Sequence, residues 1–237
     1  MGQDLNNNNH MTMEKPEETG DETLRISDRA AENKEICFPL LSISRLRMGT
    51  DGRGITTLVA GAGCPLDCRF CINKEMLERG RVRSVTSEWL YEEVSCDELY
   101  FLSTGGGVTF GGGEALLHSA FYGAFRKLCG SSWRLSVETS LAVPRSNVEM
   151  AADQIDEFIV DCKDMDPDIY NEYTGGEAAL MLGNLRFLLE KAGAERIIVR
   201  VPLIPGYNTE KDRERSVKLL KEMGIKRLEL FDYVIKQ

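Results

Sequence analysis

From Ile55 onward, short apolar runs alternate with amphipathic stretches, and that alternation leaves few folds open to the chain. The runs are Ile55–Gly61, Glu98–Ser103, Arg134–Glu138, Phe158–Asp161, Ile197–Leu203 and Leu228–Phe231. Each is mostly apolar and bounded by turn residues, the pattern of strands buried on both faces. Between them Leu117, Phe121, Phe125 and Leu128 recur at helical spacing ahead of Gly130. Glu210–Met223 carries Val217, Leu220 and Met223 on one side and stops at Gly224, a C-terminal cap signal. Units of roughly 30 residues predict right-handed crossovers and a parallel sheet, either open and doubly wound or curved into part of a barrel. In both, ligands gather at the C-terminal strand ends. The residues with chemistry follow those ends: Cys64–Cys71, Gly105–Glu114, Glu138–Ser140 and Asp161–Lys163.

The 237-residue length suffices for one sizeable core, and 42% apolar with 28% charged residues is ordinary for a soluble globular protein. A net charge of -9 argues against a nucleic-acid backbone or an anionic membrane as the main partner. No apolar run approaches the roughly 20 residues that span a bilayer, and the start is polar, without the apolar stretch of a secretory signal. The expectation is a cytoplasmic protein. Residues 1–10 read as a vector-derived tag. Residues 11–48 read as a polar N-terminal segment, partly disordered, charged and acid-rich from Met13 to Lys34. The functional domain is expected at 49–237.

Seven cysteines stand at 37, 64, 68, 71, 96, 129 and 162. An odd count in a chain of this size, with no export signal, argues against a disulfide framework. Cys37, Cys96, Cys129 and Cys162 read as buried fillers. Cys64, Cys68 and Cys71 crowd into eight residues, and their C-x3-C-x2-C spacing lets three thiolates reach three corners of a cubane. A cluster ligated wholly by protein takes four cysteines; three leave one iron free to chelate the amino and carboxylate groups of a methionine moiety. Structural zinc needs four ligands, usually as paired C-x2-C groups. No second pair is present, His118 is the only histidine outside the tag, and Cys96 is the one spare thiol in reach of such a reading. A Cys68/Cys71 dithiol would leave Cys64 unexplained. The glycines at 105–107 and 111–113 are not followed by the Lys-Ser/Thr pair of a phosphate loop.

The cysteine loop, with Phe70 before its last cysteine, resembles the signature of the radical S-adenosylmethionine superfamily. Within it the chain resembles the activating enzymes of glycyl radical enzymes, such as those of pyruvate formate-lyase. The resemblance runs from about Gly49 to Tyr233. It takes in Asp51-Gly52-Arg53-Gly54-Ile55, Gly105–Thr109, Gly112-Gly113-Glu114, Asp161-Cys162-Lys163 and Pro205-Gly206. It implies a partial (β/α)6 TIM-like barrel with parallel strands, a 4Fe–4S cluster on Cys64, Cys68 and Cys71, and bound S-adenosylmethionine. Phe70, Cys71, Ile72, Gly112, Gly113, Glu114, Thr139, Asp161, Lys163 and Arg200 are the implied cofactor-binding residues. Gly112 and Gly113 would offer main-chain groups to the methionine ammonium, and Lys163 would lie near its carboxylate. Glu138, Thr139 and Asp161 match positions that hold a monovalent cation. Arg200, alone among Val199 and Val201, points away from them and demands an anion, either at the active site or in an ion pair. His118 reads as packing.

The resemblance further implies reductive cleavage to a 5′-deoxyadenosyl radical that takes a hydrogen from a glycine of a partner enzyme, with flavodoxin or ferredoxin as electron donor in an anaerobic cytoplasm. Two other readings stand beside it: the same radical chemistry on a small molecule or short peptide, and a non-catalytic Fe–S or zinc-binding protein. The first is motivated by Phe231-Asp232-Tyr233-Val234, which stands where the family often carries Leu-Pro-Tyr-His. Arg53 and Gly111 likewise replace a proline and a serine of the family pattern.

Overall fold

The structure, a computed structural model, describes residues 36–233. The expectations for residues 1–10 and 13–34, and for Val234, lie outside the described residues. Strands β2 (Ile55–Gly61), β4 (Gly107–Gly112), β5 (Arg134–Thr139), β6 (Glu157–Asp161), β7 (Ile197–Leu203) and β8 (Arg227–Asp232) pair in parallel, in chain order. Beyond β2, strands β1 (Phe38–Met48) and β3 (Arg83–Val85) add an antiparallel flank. The order β3-β1-β2-β4-β5-β6-β7-β8 never closes, so the sheet is an open partial barrel. The six parallel strands are those of the implied (β/α)6 architecture.

Helices α1 (Lys74–Arg79), α2 (Ser87–Val94), α3 (Glu98–Thr104), α4 (Ser119–Cys129), α5 (Arg145–Ala152), α6 (Pro167–Thr174), α7 (Ala178–Ala192) and α8 (Glu210–Met223) complete the fold. The core lies between the helices and one face of the sheet. Strand side chains alternate, so Val59, Phe110, Val137, Phe158 and Val199 face that core. Phe110 sits 4.8 Å from the Tyr122 ring and 5.5 Å from Phe38 and Phe125. Truncating such a residue costs on the order of 3–5 kcal/mol. The opposite rows hold Thr109 and Ser136, then Glu138, then Asp161 and Arg200. That face is polar, and it carries the site. None of the described helices is long and apolar enough to cross a membrane.

Two expectations are corrected. Glu98–Ser103 is not a strand but most of α3, with Phe101 its one buried side chain. The strand lies in the glycine-rich stretch that follows. β-Carbons on Gly106 and Gly107 would collide with the backbones of Ile55 and Arg134, so close strand approach demands the composition that reads as a loop. Residues 38–48, expected in the partly disordered segment, form β1, where Phe38 is fully buried. The other five expected strands agree with the sequence reading to within one residue at each end, α8 begins and ends as read, and β3 was not expected.

Candidate functional site

The cysteine loop leaves the end of β2 and is held from two sides. On the β4 side, the Gly113 and Glu114 amides donate to the Gly61 and Gly63 carbonyls at 3.0 and 2.8 Å. Any side chain at Gly113 would strike the Gly63 carbonyl; the glycine makes this contact possible. On the other side, the Asp67 and Arg69 amides donate to the Thr174 and Tyr173 carbonyls at 2.9 and 3.1 Å. Those carbonyls end α6 and have no acceptor role within the helix. Asp166 caps the start of α6, Pro167 opens it, and Gly175 (φ 69°) closes it. Cys68 is thus fixed between two anchored amides.

Cys64, Cys68 and Cys71 line one open cavity of about 220 Å³ together with Gly63, Leu66, Asp67, Lys74, Leu77 and Glu78. Among the described residues no three His, Cys, Asp or Glu side chains converge on a point that could hold a single metal ion. Three soft thiols spread around a cavity suit the corners of a cluster better than a mononuclear centre. Burial raises the Cys64 thiol, and pushes Cys68 up to about 11 against the opposing pull of Lys163. Metal binding at this loop must therefore release protons. Of the cysteines read as buried fillers, Cys129 and Cys162 are buried, but Cys37 and Cys96 are exposed. Cys96 lies on the surface because its sulfur accepts from the Arg45 guanidinium at 2.8 Å.

Glu114 is tied to the start of the loop through its amide. Its carboxylate, 2% exposed, accepts from the Thr139 hydroxyl (2.6 Å), the Ser140 amide and hydroxyl (2.8 and 2.6 Å) and the Leu116 amide (3.1 Å). Burial raises its pKa even so, against those donors. Glu114 therefore splices the ends of β4 and β5 together. Lys163 follows the end of β6. It is buried, donates to Asp161 Oδ2 at 2.8 Å and to the Tyr233 hydroxyl at 3.2 Å, and stands 5.7 Å from the Tyr233 ring centroid. Burial disfavours its charge, but Asp161 more than compensates and the pKa rises.

Of the three residues matched to a cation site, Glu138 accepts from Arg200 at 2.7 Å, Thr139 donates to Glu114, and Asp161 accepts from Lys163. Arg200 also reaches Glu229 at 3.2 Å and donates to the Thr50 carbonyl; it lies in an ion-pair network. The Gly112 carbonyl, a group the resemblance offers to a methionine ammonium, accepts from the Asn73 side-chain amide at 2.6 Å. Phe70 packs on Tyr173 and Tyr207, with centroids 6.2 and 5.7 Å away. Ile72, next to Cys71, is 88% exposed. His118 packs as expected, edge-on to Phe38 and hydrogen-bonded to the Ala62 carbonyl.

Sequence reasoning missed Tyr170 and Tyr173. Both side chains are fully buried; the Tyr170 hydroxyl and Asp161 Oδ1 find no partner among the described residues, while the Tyr173 hydroxyl lies against that of Tyr233. Burial raises both pKa values, and the charges of Cys68 and Lys163 bear on each hydroxyl. Their one sequence signal was the i, i+3 spacing on α6, which puts both on one helix face.

The model of the radical SAM superfamily matches residues 58–235. The pyruvate formate-lyase 2-activating enzyme of Escherichia coli K12 is 28% identical over 218 residues, 77% of this chain and 73% of that one. The (2S)-3-sulfopropanediol dehydratase activating enzyme of Klebsiella oxytoca is 35% identical over 64% of this chain, and the isethionate sulfite-lyase activating enzyme of Desulfovibrio desulfuricans is 34% identical over 66%. The chain spans about half, 49%, of each of these last two. Among solved structures, Streptococcus suis SuiB bound to S-adenosylmethionine matches 91% of this chain and 47% of its own, with TM-score 0.58 and 16% identity. The anSMEcpe structure with bound AdoMet matches 74% of this chain and 52% of its own, with TM-score 0.53 and 19% identity; both show a common fold. With the family's pattern running from β2 to β8 over the residues that build this cavity, the chain belongs to the radical SAM superfamily.

Proposed function

We propose that this chain is a glycyl-radical-enzyme activase: it holds a 4Fe–4S cluster on Cys64, Cys68 and Cys71, binds S-adenosylmethionine, and installs a radical on a glycine of a partner enzyme. The observation that carries the reading is the three cysteines of one loop lining one cavity, with a buried lysine behind them. When bound, the cluster and its ligand supply an electron, a breaking C–S bond and a 5′-deoxyadenosyl radical. The chain's own residues bind and orient. Lys163 sets a desolvated positive charge where a carboxylate is to dock, and Glu114 keeps the β4 end in register with the loop. Phe70, Tyr173 and Tyr207 pack into an aromatic wall that excludes water. Gly112, Gly113, Thr139 and Ile72 belong to the proposed cofactor surface; Asn73 must release the Gly112 carbonyl for that carbonyl to take an ammonium.

The names of the curated relatives, all activating enzymes, favour a glycyl radical enzyme as partner, with a reduced flavodoxin or ferredoxin as donor. Glu138 and Thr139 already have protein partners, which leaves Asp161 Oδ1 as the oxygen that favours a monovalent cation. Anaerobic reconstitution with iron, sulfide, dithionite and S-adenosylmethionine tests the reading. 5′-Deoxyadenosine should accumulate, Cys68→Ala should lower it by at least about 100-fold, and a glycyl radical signal should appear on the partner. Equal cleavage by Cys68→Ala would discredit the cysteine assignment. Turnover of a metabolite or peptide with no partner protein would replace the activase reading with its rival.

A further inference from the structure

We propose that the Tyr170 hydroxyl donates a hydrogen bond to the sulfur of Cys68 in the cluster-loaded protein, and thereby sets the cluster's reduction potential. The inference rests on the reading of Cys68 as a cluster ligand. Tyr170 is 0% exposed, and its oxygen is buried without a partner among the described residues. An unpaired buried hydroxyl costs about 1–3 kcal/mol, and native proteins retain few of them without a functional cause. The missing partner is one that arrives with the cofactor.

The surroundings narrow the acceptor. Of the groups whose charge reaches this hydroxyl, Cys68 is the foremost, followed by Cys162, Lys163 and Glu114. Lys163 is a donor, already given to Asp161 and Tyr233. Glu114 is saturated by four donors. Cys162 shares the buried core with Tyr170 but has no ligand role in the proposed function, so its sulfur stays a weak, neutral acceptor. Cys68 alone becomes an anionic acceptor when it takes up metal. Its loop is tethered to the helix that carries the tyrosine, since the last two carbonyls of α6 hold the amides of Asp67 and Arg69 on either side of Cys68. One short helix thus carries the donor and tethers the acceptor. The hydroxyl has no partner without the cluster, so the bond forms only as the Cys68 side chain takes up metal. Hydrogen bonds to cluster sulfurs withdraw electron density and raise the potential.

The test is potentiometric EPR of the anaerobically reconstituted full chain, without S-adenosylmethionine, alongside iron and sulfide analysis. Tyr170→Phe should keep iron near the wild-type content and move the midpoint potential negative. Placing 3-fluorotyrosine at 170, the same shape with a more acidic hydroxyl, should move it positive. Identical potentials in all three proteins would overturn the proposal, as would a shift that appears only after S-adenosylmethionine is added, since the hydroxyl would then serve the ligand. Should Tyr170→Phe fail to hold iron, the fluorinated protein decides by its sign. A wild-type chain that takes up no cluster would sink the three-cysteine reading itself, and this proposal with it.

Discussion

Around the cysteine loop, Glu114 on the β4–β5 side and the polar atoms of the β6–α6 side are satisfied in opposite ways, although farther along the first side the Ser119 and Ser136 hydroxyls and Arg134 Nε are also buried without partners among the described residues. On the first, Glu114 accepts from four donors and His118 is bonded to the Ala62 carbonyl. On the second, Lys163 is paired, yet Asp161 Oδ1 and the Tyr170 hydroxyl have no partner among the described residues. Saturated groups hold a shape and have nothing left to offer a ligand. Orphaned ones raise the energy of the free protein and lower it again when a polar ligand arrives. The difference assigns construction to one side and recognition to the other, and substitutions on the two sides should fail differently.

The largest effect is expected at Glu114. Glu114→Ala strands the Ser140 and Leu116 amides and two hydroxyls in a buried setting, at a cost on the order of 3–5 kcal/mol. Urea unfolding of the unloaded protein should show it, and a loss below about 1 kcal/mol would place Glu114 on the recognition side instead. Lys163→Ala comes next and fails in the other manner. It should weaken S-adenosylmethionine binding by about 10–100-fold, the value of one charge-assisted contact, with iron content near wild type. Loss of iron in that variant would refute its role.

Arg200 sharpens the contrast from a third position. It joins β5, β7 and β8 through Glu138 and Glu229 on the polar face of the sheet. Arg200→Met should cost about 1–2 kcal/mol of stability, since the pair is only partly buried. It also frees the Glu138 carboxylate, so dependence of ligand binding on potassium should increase in this variant. An unchanged cation response would place the cation, if one binds, on Asp161 alone.

These contrasts mark where sequence reading stopped. The bounds of β2 and β7 were legible as apolar runs between turn residues, and those of α8 because apolar periodicity and the capping Gly224 coincide there. β4 was not, because its glycines answer to neighbouring backbones that no local pattern records. The cysteine loop was legible from spacing alone, and Asp161 with Lys163 from their parity on a strand end. The saturation of Glu114 was not, since it depends on Thr139 and Ser140 arriving at the end of another strand. Tyr170 looks like a core aromatic in the sequence; only the missing partner of its hydroxyl sets it apart.

The smallest effect separates the sides by pH. His118 binds the Ala62 carbonyl at 2.8 Å, just ahead of Gly63, and burial depresses its pKa despite that hydrogen bond. A folded-state value below the unfolded one, about 6.5, means that the fold prefers the neutral ring. The stabilisation is therefore fully present above the unfolded value and is lost as pH falls through the folded one. Its slope can be no steeper than about 1.4 kcal/mol per pH unit for one proton. Urea midpoints of wild type and His118→Gln between pH 7.5 and 5 isolate this term by their difference, which should shrink toward the acid end. Binding at Lys163, on the far side of the loop, should show no matching step. If acid weakened ligand binding in step with stability, and His118→Gln removed both effects, the two sides would be coupled through the cysteine loop, and the division between holding and recognising would fail.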